Sequence, residues 1–313
     1  MPTPEVIDWL LSGDVAVQYQ ATRDLLDREV PELQARIATE GQGAALLAAR
    51  GANGHWGRGF YQPKWTSSHY TLLELRGLEL PRDNREAGES VELILTHEKG
   101  KDGGLNPSKT IRQSDVCVNG MALDYACYFG ADPAQLESVV DFLLGQRMPD
   151  GGFNCRLNRS GARHSSLHTT ICTIEGFTEY QRAGYTYRLD EIVASTSDAV
   201  EFCLRHRLYR SEHTGQVIDA EFTRLHHPPR WHYDILRALD AFRDARIPKD
   251  PRMDDALGVL RARQRPDGRW IANRGYPGLT HIRQGRAGQP SRWVTLIAAR
   301  VLAAYGHPAG ASA

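Results

Sequence analysis

The sequence predicts an all-α fold: a closed ring of six inner and about six outer helices, an (α/α)6 toroid made by residues 1–313 as a single domain. Three observations predict it. A Gly-rich turn recurs along the chain. Each turn leads through an irregular polar stretch into a helix that is apolar around most of its circumference. Between these units lie amphipathic helices, and no period-2 strand pattern appears outside short loop pieces.

The turns are Gly51-Ala52-Asn53-Gly54-His55-Trp56, Lys101-Asp102-Gly103-Gly104-Leu105, Pro149-Asp150-Gly151-Gly152-Phe153 and Pro266-Asp267-Gly268-Arg269-Trp270. His213-Thr214-Gly215-Gln216-Val217 is a degenerate copy. The helices after them begin near Thr66, Asp115, Leu167, Trp231 and Arg292, and an earlier one, with no turn before it, begins near Val15. The amphipathic stretches are Pro31–Arg50, Asn84–His97, Pro133–Arg147, Leu189–Arg207 and Pro251–Arg263, with charge on one face and apolar residues at helical spacing on the other. Asp132-Pro133, Asp190 and Asp250-Pro251 are helix-start signals. A helix pair cannot bury its apolar face alone, and pairs stacked around a ring solve this with no open end. Six near-equal units suffice to close, and no polar cap of an open solenoid is apparent. The inner helices should turn their N-termini to one mouth, covered by the loops after each turn.

Composition removes several function classes. Lys plus Arg and Asp plus Glu are both 38, so bulk electrostatics support neither nucleic acid nor an anionic membrane as partner. The longest apolar runs, such as Ala44–Ala49, fall far short of a membrane span. Met1 to Asp14 carries acids and no basic leader region. Five cysteines, at 117, 127, 155, 172 and 203, are odd in number and sparse, which points to free or metal-bound thiols in a reducing cytoplasm.

Gln146-x-x-x-Asp150-Gly151-Gly152-Phe153 and Gln264-x-x-Asp267-Gly268-x-Trp270 resemble the glutamine-to-tryptophan repeat of squalene cyclases and protein prenyltransferase β subunits, over nearly the whole chain. The acidic Asp-x-Asp-Asp motif of the class II cyclases is absent, which disfavours that chemistry. Lys109-Thr110-Ile111-Arg112-Gln113-Ser114-Asp115-Val116-Cys117 and Ser166-Leu167-His168-Thr169-Thr170 are similar to the zinc and diphosphate segments of the prenyltransferase β subunits. The resemblance implies Asp115, Cys117 and His168 as ligands of a catalytic Zn2+, Lys109 and Arg112 beside an anionic group, and a partner subunit.

The residues themselves leave the ligand set open. Zinc takes thiolate, imidazole and carboxylate ligands, with one position free for catalysis. Asp115 and Cys117 are two apart at a helix start, where Ser114 is a candidate N-cap and the helix dipole favours both anions. His168 opens the next inner helix, and Cys155 lies in the loop between. Asp115, Cys117, Cys155 and His168 are thus four candidates at one mouth. A Cys117–Cys155–His168 set backed by Asp115 is as reasonable as Asp115–Cys117–His168. Cys127, Cys172 and Cys203 are expected to pack in the core.

His69, and His226, His227 and His232, precede or open inner helices. His232 or His69 is the candidate proton carrier. Arg156, Arg159, Arg163, Arg224, Arg230 and Arg292 would form a basic rim suited to diphosphate, phosphate or carboxylate. Trp65, Trp231, Trp293, Tyr70, Tyr125 and Tyr233 would wall the cavity for an apolar or cationic group. The expected function is a zinc-dependent transferase activating a thiol or water against a small isoprenoid-like or other anionic substrate. Its rivals are a non-catalytic binder of a hydrophobic ligand, and a cyclase or lyase with an acid elsewhere.

Overall fold

The computed structural model describes residues 2–108, 110–155, 161–283 and 285–306. Among them are thirteen α-helices, here α1 to α13, and three isolated β-bridges in place of any sheet. Six helices form the inner layer: α2 (Val15–Leu26), α5 (Ser68–Gly77), α7 (Val116–Tyr128), α9 (Leu167–Arg182), α11 (Ile235–Asp244) and α13 (Arg292–Tyr305). The outer layer is α1 (Pro4–Leu11), the short α3 (Pro31–Arg36) with α4 (Gly41–Ala48), α6 (Arg85–His97), α8 (Pro133–Gly145), α10 (Leu189–Arg205) and α12 (Asp254–Ala262). The fold is the predicted all-α toroid. The helix missing from the sequence reading is α1. It fills the outer position beside α13, where Arg292 donates to the Trp9 carbonyl at 3.0 Å.

Polar bridges close the ring, step by step. Gln20 of α2 donates to the Gly77 carbonyl of α5 at 2.9 Å. Arg76 of α5 reaches Asp124 of α7 at 3.0 Å, and Glu175 of α9 takes Arg237 of α11. Arg300 of α13 reaches Asp240 of α11 on one side and Asp24 of α2 on the other. Between α7 and α9 the two backbones touch instead. A Cβ on Gly120 would stand 2.6 Å from the Cys172 carbonyl oxygen, and one on Gly176 would stand 2.3 Å from that of Gly120. Arg76 and Asp124, and Arg300 and Asp24, stand almost equally far along their helices, so these inner helices run parallel with their N-termini at one mouth.

The recurrent turn has a mechanical role. Gly54, Gly103, Gly151, Gly215 and Gly268 all have φ between 69° and 92°, where a side chain is strained and glycine is not. After the turn the chain is tied to the next inner helix. The N–H groups of Trp56, Leu105, Phe153 and Trp270 donate to Ser68, Asn119, Thr170 and Thr295, at 2.6 to 3.0 Å. The indoles of Trp56 and Trp270 also donate back to Leu46 and Leu260, at the ends of the preceding outer helices. Each motif thus fastens one outer helix to the inner helix that follows. Ser114 does not cap α7 as expected. Its N–H and hydroxyl are taken by Asp102 of the turn, at 2.7 and 2.8 Å, and Asp115 stands at the N-cap position. No helix among the described residues is long and apolar enough to cross a membrane.

Replacing Arg300 by Leu would take from Asp24 and Asp240 the cation they share, leaving Asp24 to Arg23 and Asp240 to Arg243. A loss of about 1–3 kcal/mol is expected, measured as a lower urea midpoint. A midpoint within error of wild type would show that the ring closes without this bridge.

Candidate functional site

At the mouth the structure brings together two thiols that are 38 residues apart. The Cys117 backbone N–H donates to the Cys155 sulfur at 3.0 Å, and the Thr169 hydroxyl lies 3.6 Å from the same sulfur. Cys155 is placed by the loop after the Asp150 turn and Cys117 by the first turn of α7. Hydrogen bonding from Cys117 pulls the Cys155 thiol below its ordinary range, and Cys117 is pushed up by the same contact. Asp115 is near enough to act electrostatically on both sulfurs.

The ammonium of Lys64 stands over the rings of Trp65 and Trp231, 4.7 and 5.2 Å from their centroids. Burial pulls its pKa down while Cys117 and Asp115 oppose that pull, so the lysine belongs to the same charged cluster. The tyrosine hydroxyl of Tyr61 lies 3.2 Å from that of Tyr70. On the far side Trp231, His232 and Tyr276 stack, with centroids 3.8 and 3.6 Å apart. His232 is held neutral there, its pKa pushed down to about 3 by burial and by neighbouring His168 and Lys64.

His168 turns toward these rings. Its Nδ1 accepts the Tyr233 backbone N–H at 2.8 Å, and its ring packs against Phe222 and Trp231. Among the described residues, no three His, Cys, Asp or Glu side chains stand together as a preformed metal cluster. The thiols meet and Asp115 acts on both, while His168 packs among the aromatic rings. His69 is fully enclosed, 3.3 Å from the Tyr125 hydroxyl, and burial pushes its pKa down to about 3. Trp65 and Tyr70 are buried beneath the mouth, the Trp65 indole donating to the Pro277 carbonyl. Arg112 and Arg163 are exposed loop residues. Lys109, Arg156 and Arg159 lie outside the described residues. Arg292 points away from the rim, to α1. Cys127, Cys172 and Cys203 are buried, as expected.

Below the mouth lies a cavity of about 180 Å³ in the bore of the ring. Its roof is the strap His226–Arg230 together with Ile282 and Trp293, and its walls run down to Leu78, Glu79 and Asp244 at the C-terminal ends of the inner helices. The strap is held from α11. Asp234 accepts the His226 N–H, and Arg237 donates to the carbonyls of Arg230 and His232. Arg230, expected on an exposed rim, is 4% exposed and pairs with Glu74 of α5 at 2.5 Å. Its φ of 58° is a left-handed conformation that costs a non-glycine residue on the order of 1 kcal/mol.

The charged bore was missed in the sequence, yet a signal exists. The residue eight positions after the first of each inner helix is charged: Arg23, Arg76, Asp124, Glu175, Arg243 and Arg300. Within helices read as mostly apolar, that one level faces the bore at every one of these residues but Arg23, which pairs with Glu79. Asp124 is raised by burial, with Glu179, Glu175 and Asp244 adding to the shift against Arg76. Burial likewise lifts Glu74, up to about 7, against the pull of Arg230.

No family model and no curated protein matches the chain. Among solved structures it is similar to a protein from Actinoplanes (15% identity, 93% of this chain and 90% of the other, TM-score 0.48). It is similar also to a glycosyl hydrolase of family 88 from Bacteroides vulgatus (12%, 93% and 89%, TM-score 0.48). A third is the type II terpene cyclase MstE from Scytonema (15%, 87% and 97%, TM-score 0.38).

The Glu74 shift has a pH consequence. A glutamate ordinarily titrates near 4.5, and here near 7, so folding favours its protonated form. That stabilisation is fully present below pH 4.5 and is lost as pH rises through 7. The melting temperature of Glu74→Gln should therefore fall less steeply than that of wild type between pH 4.5 and 7.5. Parallel curves would show that Glu74 titrates normally.

Proposed function

We propose that the chain is an enzyme working at the toroid mouth, a transferase-like centre that activates a thiol or water nucleophile against an isoprenoid-like or other anionic substrate. The observation that carries this reading is the meeting of Cys117 and Cys155, with Asp115 within electrostatic reach. A Zn2+ ion is the group this donor chemistry suits, held by the two thiols with Asp115 or the free nitrogen of His168 as third ligand. Bound there, zinc would lower the pKa of a coordinated thiol or water.

The chain's own residues supply the rest. Lys64 offers a cation to an anionic substrate group at the edge of the thiol pair, and the Trp231–His232–Tyr276 stack gives an apolar body a flat wall. His232 is half-buried and held neutral, with its pKa pushed down to about 3, so it serves the stack as an uncharged ring rather than as a base at neutral pH. His69 is sealed from the mouth and is likewise not a base there.

Plasma emission on the untagged protein should give about one zinc per chain, consistent with a single mononuclear site. Cys117→Ala and Cys155→Ala should each lose it, and cobalt substitution should give a thiolate-to-metal band absent from both variants. Wild-type protein that takes up neither metal overturns the zinc reading and leaves a binder of apolar ligands as the alternative.

A further inference from the structure

One arginine of the bore differs from the others. Arg76 faces Asp124, Glu179 and Asp244, Arg300 faces Asp24 and Asp240, and Arg237 faces Glu175; the carboxylates, joined at Arg237 by the Cys172 sulfur, hold each guanidinium pKa above its ordinary range. Arg230 is as deeply placed, but burial outweighs the support of Glu74 and its pKa is held below the ordinary range. It is a buried cation with too little negative charge around it. Its backbone is fixed in a left-handed conformation by Arg237, which donates to its carbonyl at 3.0 Å, so the guanidinium cannot swing out to water without moving the strap. The cavity it lines has an apolar face made by Leu73, Pro229, Leu236, Trp293 and Ile297. The Nδ1 atom of His226, on the same strap, is buried and accepts no hydrogen bond among the described residues.

We propose that the bore is a binding site for a small organic carboxylate with an apolar body, which sets its carboxylate on Arg230 in place of Glu74. The bore, at about 180 Å³, has room for about six waters at about 30 Å³ each, roughly the body of an acid of six to eight carbons. An arginine fork suits a carboxylate, and the apolar wall takes the rest of the molecule.

The exchange of partners requires a proton. The carboxylate clusters at Arg76 and Arg300 are matched by further arginines, Arg82 and Arg182 at the first and Arg23 and Arg243 at the second. Arg230 brings one charge to Glu74, whose carboxyl burial already lifts, so Glu74 becomes the neutral acid as the ligand enters. Ligand anion plus proton is taken up, and the charge of the bore is unchanged. The other groups that face this space are committed elsewhere. Arg76 and Asp124 pair with each other, as do Arg237 with Glu175 and Arg300 with Asp240. Tyr70 stays a neutral phenol, its pKa raised by burial. His226 and His227 complete the roof, and the Glu74→Gln variant separates them from Glu74 as the proton acceptor.

The test is titration calorimetry of the full chain with hexanoate and benzoate, and with hexanol and hexylamine as controls, in two buffers of different ionisation enthalpy. The acids should bind at least about tenfold more tightly than the controls. At pH 8 each binding event should take up close to one proton, and affinity should fall about tenfold per pH unit above 7. Glu74→Gln should bind the acids with no proton uptake and a flat pH dependence, and Arg230→Gln should lose at least about tenfold in affinity. Failure of both acids to bind, equal binding of hexanol, or retention of affinity in a cooperatively melting Arg230→Gln each overturns the proposal. Should that variant not fold, the wild-type proton count decides, and zero uptake at pH 8 overturns it.

Discussion

The structure depends on a layer of charge inside a ring of apolar helices. Six parallel helices around one axis leave a bore, here with a cavity of about 180 Å³. Carboxylates and guanidinium groups line it, among them Arg76, Asp124, Glu175, Arg243 and Arg300 at one level of five inner helices. Arg300 joins α13 to both α11 and α2, so the last inner helix is tied to the first. Glu179, with no exposed side-chain surface, receives Arg76, Arg82 and Arg182. Charges this deep are tolerated because each is met by an opposite one; removing a partner costs far more than the pair contributes. They give the ring its register rather than its stability.

The second constraint is the turn. A left-handed glycine reverses the chain after five of the outer helices, and at four of these turns the following N–H is caught by a polar side chain in the first turn of the next inner helix. This fixes the height at which those four inner helices begin, and hence which of their residues reach the mouth. Cys155 comes two residues after Phe153, the anchored position of its repeat, while Cys117 comes two before Asn119, the side chain that anchors Leu105. The thiols meet because two copies of one device deliver them to the same level. The close glycine contact between α7 and α9 brings those two copies together.

The mouth and the bore are separate environments divided by the strap. Above it stand half-buried Lys64, the thiols and the stacked rings. Below it, Arg230 and Glu74 are buried together, and loss of water disfavours both charges. Arg237 serves both sides, since it holds the Arg230 and His232 carbonyls and so fixes the roof of the bore and the wall of the mouth at once.

The sequence by itself determined the architecture. The glycine turns needed no tertiary information, because a left-handed turn selects glycine locally, and the apolar circumference of the inner helices followed from their burial on all sides. The inner helix starts fell within a few residues of Val15, Ser68, Val116, Leu167, Ile235 and Arg292. The closeness of Cys117 and Cys155 was legible from helix order. The first outer helix was not, since Pro4–Leu11 is only eight residues long, too short for a helical period to stand out. The tertiary structure alone decided which way side chains face. Arg230 reads in sequence as one more loop arginine, and only the left-handed strap turns it inward onto Glu74. His168 reads as a partner for the thiols, and its orientation is set by a Tyr233 N–H that is 65 residues distant. The direction of a side chain depends on the backbone that approaches from elsewhere in the ring, and that approach is not written at the residue itself.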